Sequence, residues 1–301
     1  MNQTYHKSVL LHETVQMLDV KPDGIYVDLT FGGGGHSREI LKHLGPSGRL
    51  IGFDQDENAF KNAIEDERCT LIRQNFCHAY EHLIAMGIYE VDGVLADLGV
   101  SSFQFDDDLS GFSYRENISL DMRMDKRKER TAADILNQYS VEKLQYIFQE
   151  LGEVRNAKTL ANMIVEERKI KKFELSQDLN EILNKIKFGP FPSYAAPIYQ
   201  ALRMEVNQEL EVLKEMLEKM AQIMSPRGRI AIITFHSLED RLVKNYMKYG
   251  EFENEPTTDI FGKRKEWNWK NITKKAIEAG AEELRENSRS RSARLRVMQK
   301  N

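Results

Sequence analysis

The chain has 301 residues, 41% of them hydrophobic and 30% charged, which describes an ordinary globular protein with ample core for one large or two modest domains. A net charge of −4 argues against a nonspecific nucleic-acid binder, no apolar run approaches the roughly 20 residues of a membrane span, and the N-terminus lacks a signal-peptide pattern. The two cysteines, Cys69 and Cys77, form no CxxC pair, so neither a disulfide framework nor a metal site is expected, and a reducing cytoplasm fits best.

In chain order, Leu11 to Leu18 reads as a helix closed near Pro22-Asp23-Gly24. A buried strand, Ile25 to Phe31, then runs into four glycines, Gly32 to Gly35, and a helix carrying Ile40, Leu41 and Leu44. Strand, glycine turn and helix bring backbone N–H groups to a ligand at the positive end of a helix, as nucleotide-type sites require. Further strands are expected at Arg49–Phe53, ending on Asp54, at Cys69–Arg73, and at Asp92–Asp97. A helix is expected after Asp54, with Asp56 and Glu57 in its first turn, and another from Ala79 to Met86. This alternation implies a parallel sheet covered on both faces.

After Asp97 the rhythm breaks. Leu98 to Asp125 reads as loop, then Thr131-Ala132-Ala133-Asp134 has capping-box character and opens a run of helices. These have apolar faces at Val141 to Leu151, Leu160 to Val165 and Leu179 to Ile186, and Pro190, Pro192 and Pro197 then interrupt. The strand–helix pattern returns with a helix from Asn207 to Met224, a fifth strand from Arg229 to Phe235, and a helix opened by His236-Ser237-Leu238-Glu239. Beyond Trp267 and Trp269, Ala293 to Met298 alternates like an edge strand. The fold class is therefore α/β with an inserted all-helical domain: residues 1–105 and 207–301 form the sheet domain and 106–206 the insert.

In an open parallel sheet, ligands bind outside the carboxyl ends of the strands. Gly32 to His36, Asp54, Phe76 and Asp97 fall at such ends. Asp54 lies 19 residues after Gly35, close to the spacing of a ribose-binding acid, and Phe76 could cover an adenine face, although plain core explains a lone phenylalanine equally well. An adenosine-containing cofactor follows, but the turn alone leaves S-adenosylmethionine and a nicotinamide dinucleotide open, with Ser37 in the sixth position of GxGxxG favouring the former. The basic clusters at Lys126–Arg130, Lys169–Lys172, Lys263–Lys265 and Arg289–Arg296 each read as a solvated face, and several on one surface would track phosphates.

Longer stretches decide between the cofactors. Asp28-Leu29-Thr30-Phe31-Gly32-Gly33-Gly34-Gly35-His36-Ser37, Asp97-Leu98-Gly99-Val100-Ser101-Ser102, Leu120-Asp121-Met122-Arg123-Met124-Asp125, Phe235-His236-Ser237-Leu238-Glu239-Asp240-Arg241 and Arg289-Ser290-Arg291-Ser292-Ala293 resemble, in order, the bacterial 16S ribosomal RNA (cytosine-N4)-methyltransferases of MraW type. The resemblance implies a cytoplasmic Rossmann-like methyltransferase that uses S-adenosyl-L-methionine, with 16S rRNA in the small ribosomal subunit as partner and a homodimer as one arrangement. Carried over by position, it places Gly34, Gly35, His36, Asp54, Phe76, Asp97 and Gln104 at the cofactor. Asp97 and His236 become the candidates for the chemistry, with helix capping as the competing role at His236. Tyr194, Tyr199 or Phe103 could stack on the extruded cytosine. The chain departs from the family pattern at Phe103, at Ser193 to Gln200 and at Ser288, so the resemblance speaks more firmly for the cofactor than for the RNA target.

Overall fold

A computed structural model describes residues 8–99, 112–253, 258 and 266–301. They fall into two compact units, one of residues up to Gly99 together with Leu210–Asn301, the other ending at Glu209.

The first unit is built on a seven-stranded sheet of order β3-β2-β1-β4-β5-β7-β6. Its strands are β1 (Ile25–Asp28), β2 (Arg49–Asp54), β3 (Cys69–Arg73), β4 (Val91–Asp97), β5 (Met224–Thr234), β6 (Trp269–Asn271) and β7 (Arg294–Lys300). Strands β1 to β5 pair in parallel, whereas β7 runs antiparallel between β5 and β6. The order of a dinucleotide-binding sheet is thus followed as far as β5 and then abandoned. Each central strand is apolar on both faces because both are covered. Tyr26, Leu50, Leu95, Ala231 and Ile233 meet helices α1 (Leu11–Leu18) and α2 (Gly35–His43). Val27, Ile51, Val94, Ile230 and Ile232 share the opposite core with α3 (Ala79–Ala85) and two long helices, Glu209–Ile223 and Ser237–Tyr249.

Three expectations change in this unit. Strand β7 is an interior strand: Leu295, Val297 and Met298 are buried and β6 covers its outer side. Strand β5 starts at Met224, because Met224 pairs with Val91 and Arg229 with Gly93, leaving the intervening Ser-Pro-Arg-Gly to bulge out with Arg227 at φ 66°. The segment after β2 is a 3₁₀ turn, Glu57–Asn62, capped by the Asp56 carboxylate, rather than an α-helix.

Two ties fix the C-terminal half. Asp240 is buried and accepts from Arg296 at 2.7 and 2.9 Å and from Arg294 at 3.3 Å, fastening the Ser237–Tyr249 helix to β7. That helix ends at Gly250, φ 74°, where the Trp267 ring lies against the backbone and stacks on Trp269.

The second unit is all-helical: α4 (Ala132–Gln138), α5 (Val141–Tyr146, continued by a π turn over Ile147–Leu151), α6 (Ala157–Glu167), α7 (Ser176–Ile186) and α8 (Phe191–Asn207). Thr131 and Asp134 form the expected capping box. The prolines do not interrupt α8: Pro190 is its N-cap, Pro192 lies in the first turn, and Pro197 is carried inside the helix. A proline there costs about 3 kcal/mol. Burial of Tyr194, Ala195, Ile198, Tyr199, Ala201 and Leu202 offsets it.

Candidate functional site

The site is built from β1 outward. The strand leaves the sheet through Phe31, whose N–H bonds to the Phe53 carbonyl at 2.9 Å, and Gly34 N–H closes a turn onto the Phe31 carbonyl at 2.7 Å. The Phe31 ring packs where side chains on Gly34 and Gly52 would stand, 2.9 and 2.8 Å away, and a Cβ on Gly35 would come within 2.0 Å of the Ser8 hydroxyl. Gly34, at φ 72°, opens α2 in the left-handed region. The turn spends two of its amides internally, Gly32 N–H on Asp54 at 2.7 Å and Gly34 N–H on Phe31. The amides of Gly35 and His36 are left at the positive end of α2.

Beneath the turn lies a polar clamp that the motif reading missed. Asp28, buried inside an apolar run, accepts from the Ser37 hydroxyl at 2.6 Å and the Thr30 amide at 3.1 Å. Burial pushes the Asp28 pKa up to about 6, with those two hydrogen bonds pulling the other way. The Thr30 hydroxyl in turn accepts from the Asp97 amide at 2.6 Å. Ser37, Asp28, Thr30 and Asp97 thus link the start of α2 to the ends of β1 and β4, the place where strand order reverses. A charge within a strand was the sequence signal for this clamp.

Asp97 is mostly enclosed, with 23% of its side chain exposed, and its Oδ1 is buried without a hydrogen-bond partner among the described residues. Burial, then the fields of Asp28, Glu239 and Glu283, raise its pKa well above the ordinary carboxylate value. His36 is the nearest candidate partner, with Nδ1 at 3.9 Å from Asp97 Oδ2. This is no ion pair. The His36 Nε2–H donates to the Val9 carbonyl at 3.1 Å, and burial pushes the ring's pKa down to about 4. Nδ1 is therefore a bare lone pair. Two acceptors face one another with no donor between them, an arrangement suited to a positively charged amine.

The neighbouring strand ends complete this edge. Asp54 accepts from the amides of Gly32 and Asp56 at 2.7 and 2.8 Å, and burial raises its pKa to about 6. A carboxylate with two of roughly four lone-pair positions filled can still take hydroxyl donors. Phe76 follows β3 in a short turn capped by Asn75, whose amide reaches Gln55 at 2.7 Å, and it lies half-buried against the sheet core. Gln104 and Phe103 lie outside the described residues.

His236 is the N-cap of the Ser237–Tyr249 helix. Its Nδ1 accepts from the Glu239 amide at 3.3 Å while the Glu239 carboxylate reaches back to the Phe235 amide at 3.0 Å. Glu239 thus reaches one residue further back than in a capping box, to the residue before the N-cap. With Nδ1 accepting, the proton sits on Nε2, which lies 3.1 Å from Glu239 Oε1 but makes no well-formed hydrogen bond. Tyr194 and Tyr199 are core residues of the helical unit, their hydroxyls bonded to Asn156 and to Ser176 and Asn180, so neither ring is open for stacking. Of the basic clusters, Lys126 pairs with Asp121, Arg127 with Asp125, Lys169 with Glu166, Lys171 with Asp178, and Arg294 and Arg296 with Asp240, whereas Lys263 to Lys265 lie outside the described residues.

Fold and site together define a Rossmann-like S-adenosylmethionine-dependent methyltransferase. The chain belongs to the MraW methylase family, whose family model matches residues 3–301. It is 50% identical over 303 residues to the ribosomal RNA small subunit methyltransferase H of Christiangramia forsetii, covering 98% of both chains. It is likewise 50% identical to the protein of that name in Flavobacterium psychrophilum, covering 97% of this chain and 100% of that one. A solved rRNA methylase from Streptococcus thermophilus aligns over 98% of both chains at 11% identity and TM-score 0.44, too distant to carry weight.

The clamp is open to test. Thr30→Val keeps the shape of the side chain but orphans the Asp97 amide, a change expected to cost about 1–3 kcal/mol in urea unfolding. It should also weaken S-adenosylmethionine binding in calorimetry, and wild-type values for both would remove Thr30 from the site.

Proposed function

We propose that this protein methylates N4 of a cytidine in the decoding region of 16S ribosomal RNA. The observation that carries the cofactor half of this reading is the Asp97 carboxylate, whose Oδ1 has no hydrogen-bond partner among the described residues and whose Oδ2 lies 3.9 Å from the bare Nδ1 of His36. Membership of the methylase family and the names of its half-identical relatives support the ribosomal half.

The residues fit an amino-acid-bearing adenosine cofactor. Asp97 and His36 would receive its amine. The Gly34–His36 backbone, at the start of α2, would meet its carboxylate. Asp54 would accept from the ribose hydroxyls, Phe76 would cover the base, and Gln104 is assigned to the same site by position. Bound there, S-adenosylmethionine supplies an electrophilic sulfonium methyl.

The exocyclic amine of cytosine is a weak nucleophile, so the protein must hold it in line at about 3–3.5 Å and stabilise the positive charge that develops on nitrogen. Asp97 is the candidate for that electrostatic role, as the alternative to its holding the cofactor's amine. His236, which caps its helix through Nδ1, is the second candidate for the chemistry, through Nε2. The helical unit is assigned to recognition of the RNA.

Two outcomes follow. An ammonium beside Asp97 should draw its raised pKa back down, so cofactor binding at a pH below the raised value releases protons. Affinity should rise with pH until the free-state pKa of Asp97 is passed and then level off. Calorimetric titrations at one pH in buffers of different ionisation enthalpy should differ in heat for the wild type and coincide for Asp97→Asn. For the substrate, ribosomal RNA nucleosides from cells lacking the protein, read by mass spectrometry, should lose N4-methylcytidine. Unchanged N4-methylcytidine would sink the assignment, and loss of a different methylated cytidine would move it to that nucleotide.

A further inference from the structure

The helical unit carries a surface, at Tyr114 and Phe191, where cations rest on aromatic rings instead of carboxylates. Arg115 lies over the Tyr114 ring at 5.9 Å and Lys187 over the Phe191 ring at 5.7 Å, and the two rings meet edge to face at 6.1 Å. Neither cation has an ion-pair partner among the described residues; Lys187 bonds only to the neutral Asn184 side chain at 2.9 Å. This sets them apart from Arg123, Arg127, Lys169 and Lys171, whose charges are met by acids. Beside them, on the Lys187-Phe188-Gly189-Pro190 loop between α7 and α8, Phe188 is 68% exposed. The loop is built to present it: Gly189 turns at φ 75° with open space around it, and Pro190 caps α8. A core has no use for that ring.

We propose that this surface binds a single-stranded segment of the RNA substrate, with Phe188 stacking on a base and Arg115 and Lys187 meeting phosphates. Unspent cations interleaved with aromatic rings are the chemistry of single-strand binding: stacking tolerates any base, and each neutralised phosphate adds salt dependence. Charge complementarity favours RNA over an apolar protein partner, which would leave both cations buried against nothing. The inference rests on the proposed RNA substrate, not on which nucleotide is methylated.

The test is equilibrium binding of the full chain to a single-stranded RNA of about 16 nucleotides, measured across a salt series. Phe188→Ala should weaken binding about tenfold with an unchanged salt slope, and Phe188→Leu, which keeps apolar bulk without a ring face, should weaken it comparably. Joint Arg115→Ala and Lys187→Ala should reduce the slope of log affinity against log salt by about 1.4, roughly 0.7 per phosphate. Thermal unfolding and S-adenosylmethionine affinity should stay at wild-type values in all three. Wild-type RNA affinity in Phe188→Ala or Phe188→Leu overturns the proposal, as does failure of the wild type to bind the RNA, or loss of a protein partner in place of RNA. If N4-methylcytidine persists in cells lacking the protein while these variants still lose RNA, the surface stands and the assigned target falls.

Discussion

The structure turns on a carboxylate kept almost out of water with one oxygen unanswered. Leaving a buried polar atom without a partner costs on the order of 1–3 kcal/mol, more for a charge. At Asp97 Oδ1 the protein bears this cost and adds the like charges of Asp28, Glu239 and Glu283 nearby. The surroundings hold that state in place. Thr30 fixes the Asp97 amide, Asp28 and Ser37 fix Thr30 and the start of α2, and Val9 fixes the tautomer of His36 so that no donor is offered from that side. An arrangement of this kind suits a cation, which is why the cofactor's amine is proposed to bind there.

Two of the blocks that carry the family resemblance also hold the fold together. In His236-Ser237-Leu238-Glu239-Asp240-Arg241, His236 and Glu239 cap a helix and Asp240 fastens it to β7. In Asp121-Met122-Arg123-Met124-Asp125 the acids neutralise neighbouring arginines, while the Asn207 side chain grips the Met122 carbonyl and the Met124 amide at 2.8 and 2.9 Å. These blocks are recognisable because several interlocking bonds demand those residue types, and they point to function by association with the cofactor edge.

Much of the fold was legible because central strands covered on both faces read as unbroken apolar runs, and because Thr131 and Asp134 announce a helix start. The strand ends Asp54, Phe76 and Asp97 could be placed from those runs alone. Other features depended on tertiary contacts. Pro197 stays helical because the faces around it are buried, β7 is interior because the three-residue β6 covers it, and β5 begins early because Met224 pairs across a bulge. The roles of Tyr194 and Tyr199 could not be told from an open aromatic, since only packing distinguishes them from Phe188. The charge of Asp28 within a strand was visible, but its partner and the tautomer of His36 were out of reach for the same reason: Val9 and Ser37 are partners only once the chain has folded.

The central claim, that Asp97 is completed by the amine of the cofactor, is tested most directly by comparing two ligands on two proteins. Calorimetry would measure S-adenosylhomocysteine and its analogue lacking the amino group against the wild type and Asp97→Asn. The account expects the wild type to lose about a hundredfold in affinity when the amine is removed, as for a hydrogen-bonded charge, and Asp97→Asn to discriminate far less between the two ligands. Equal discrimination by both proteins would contradict it.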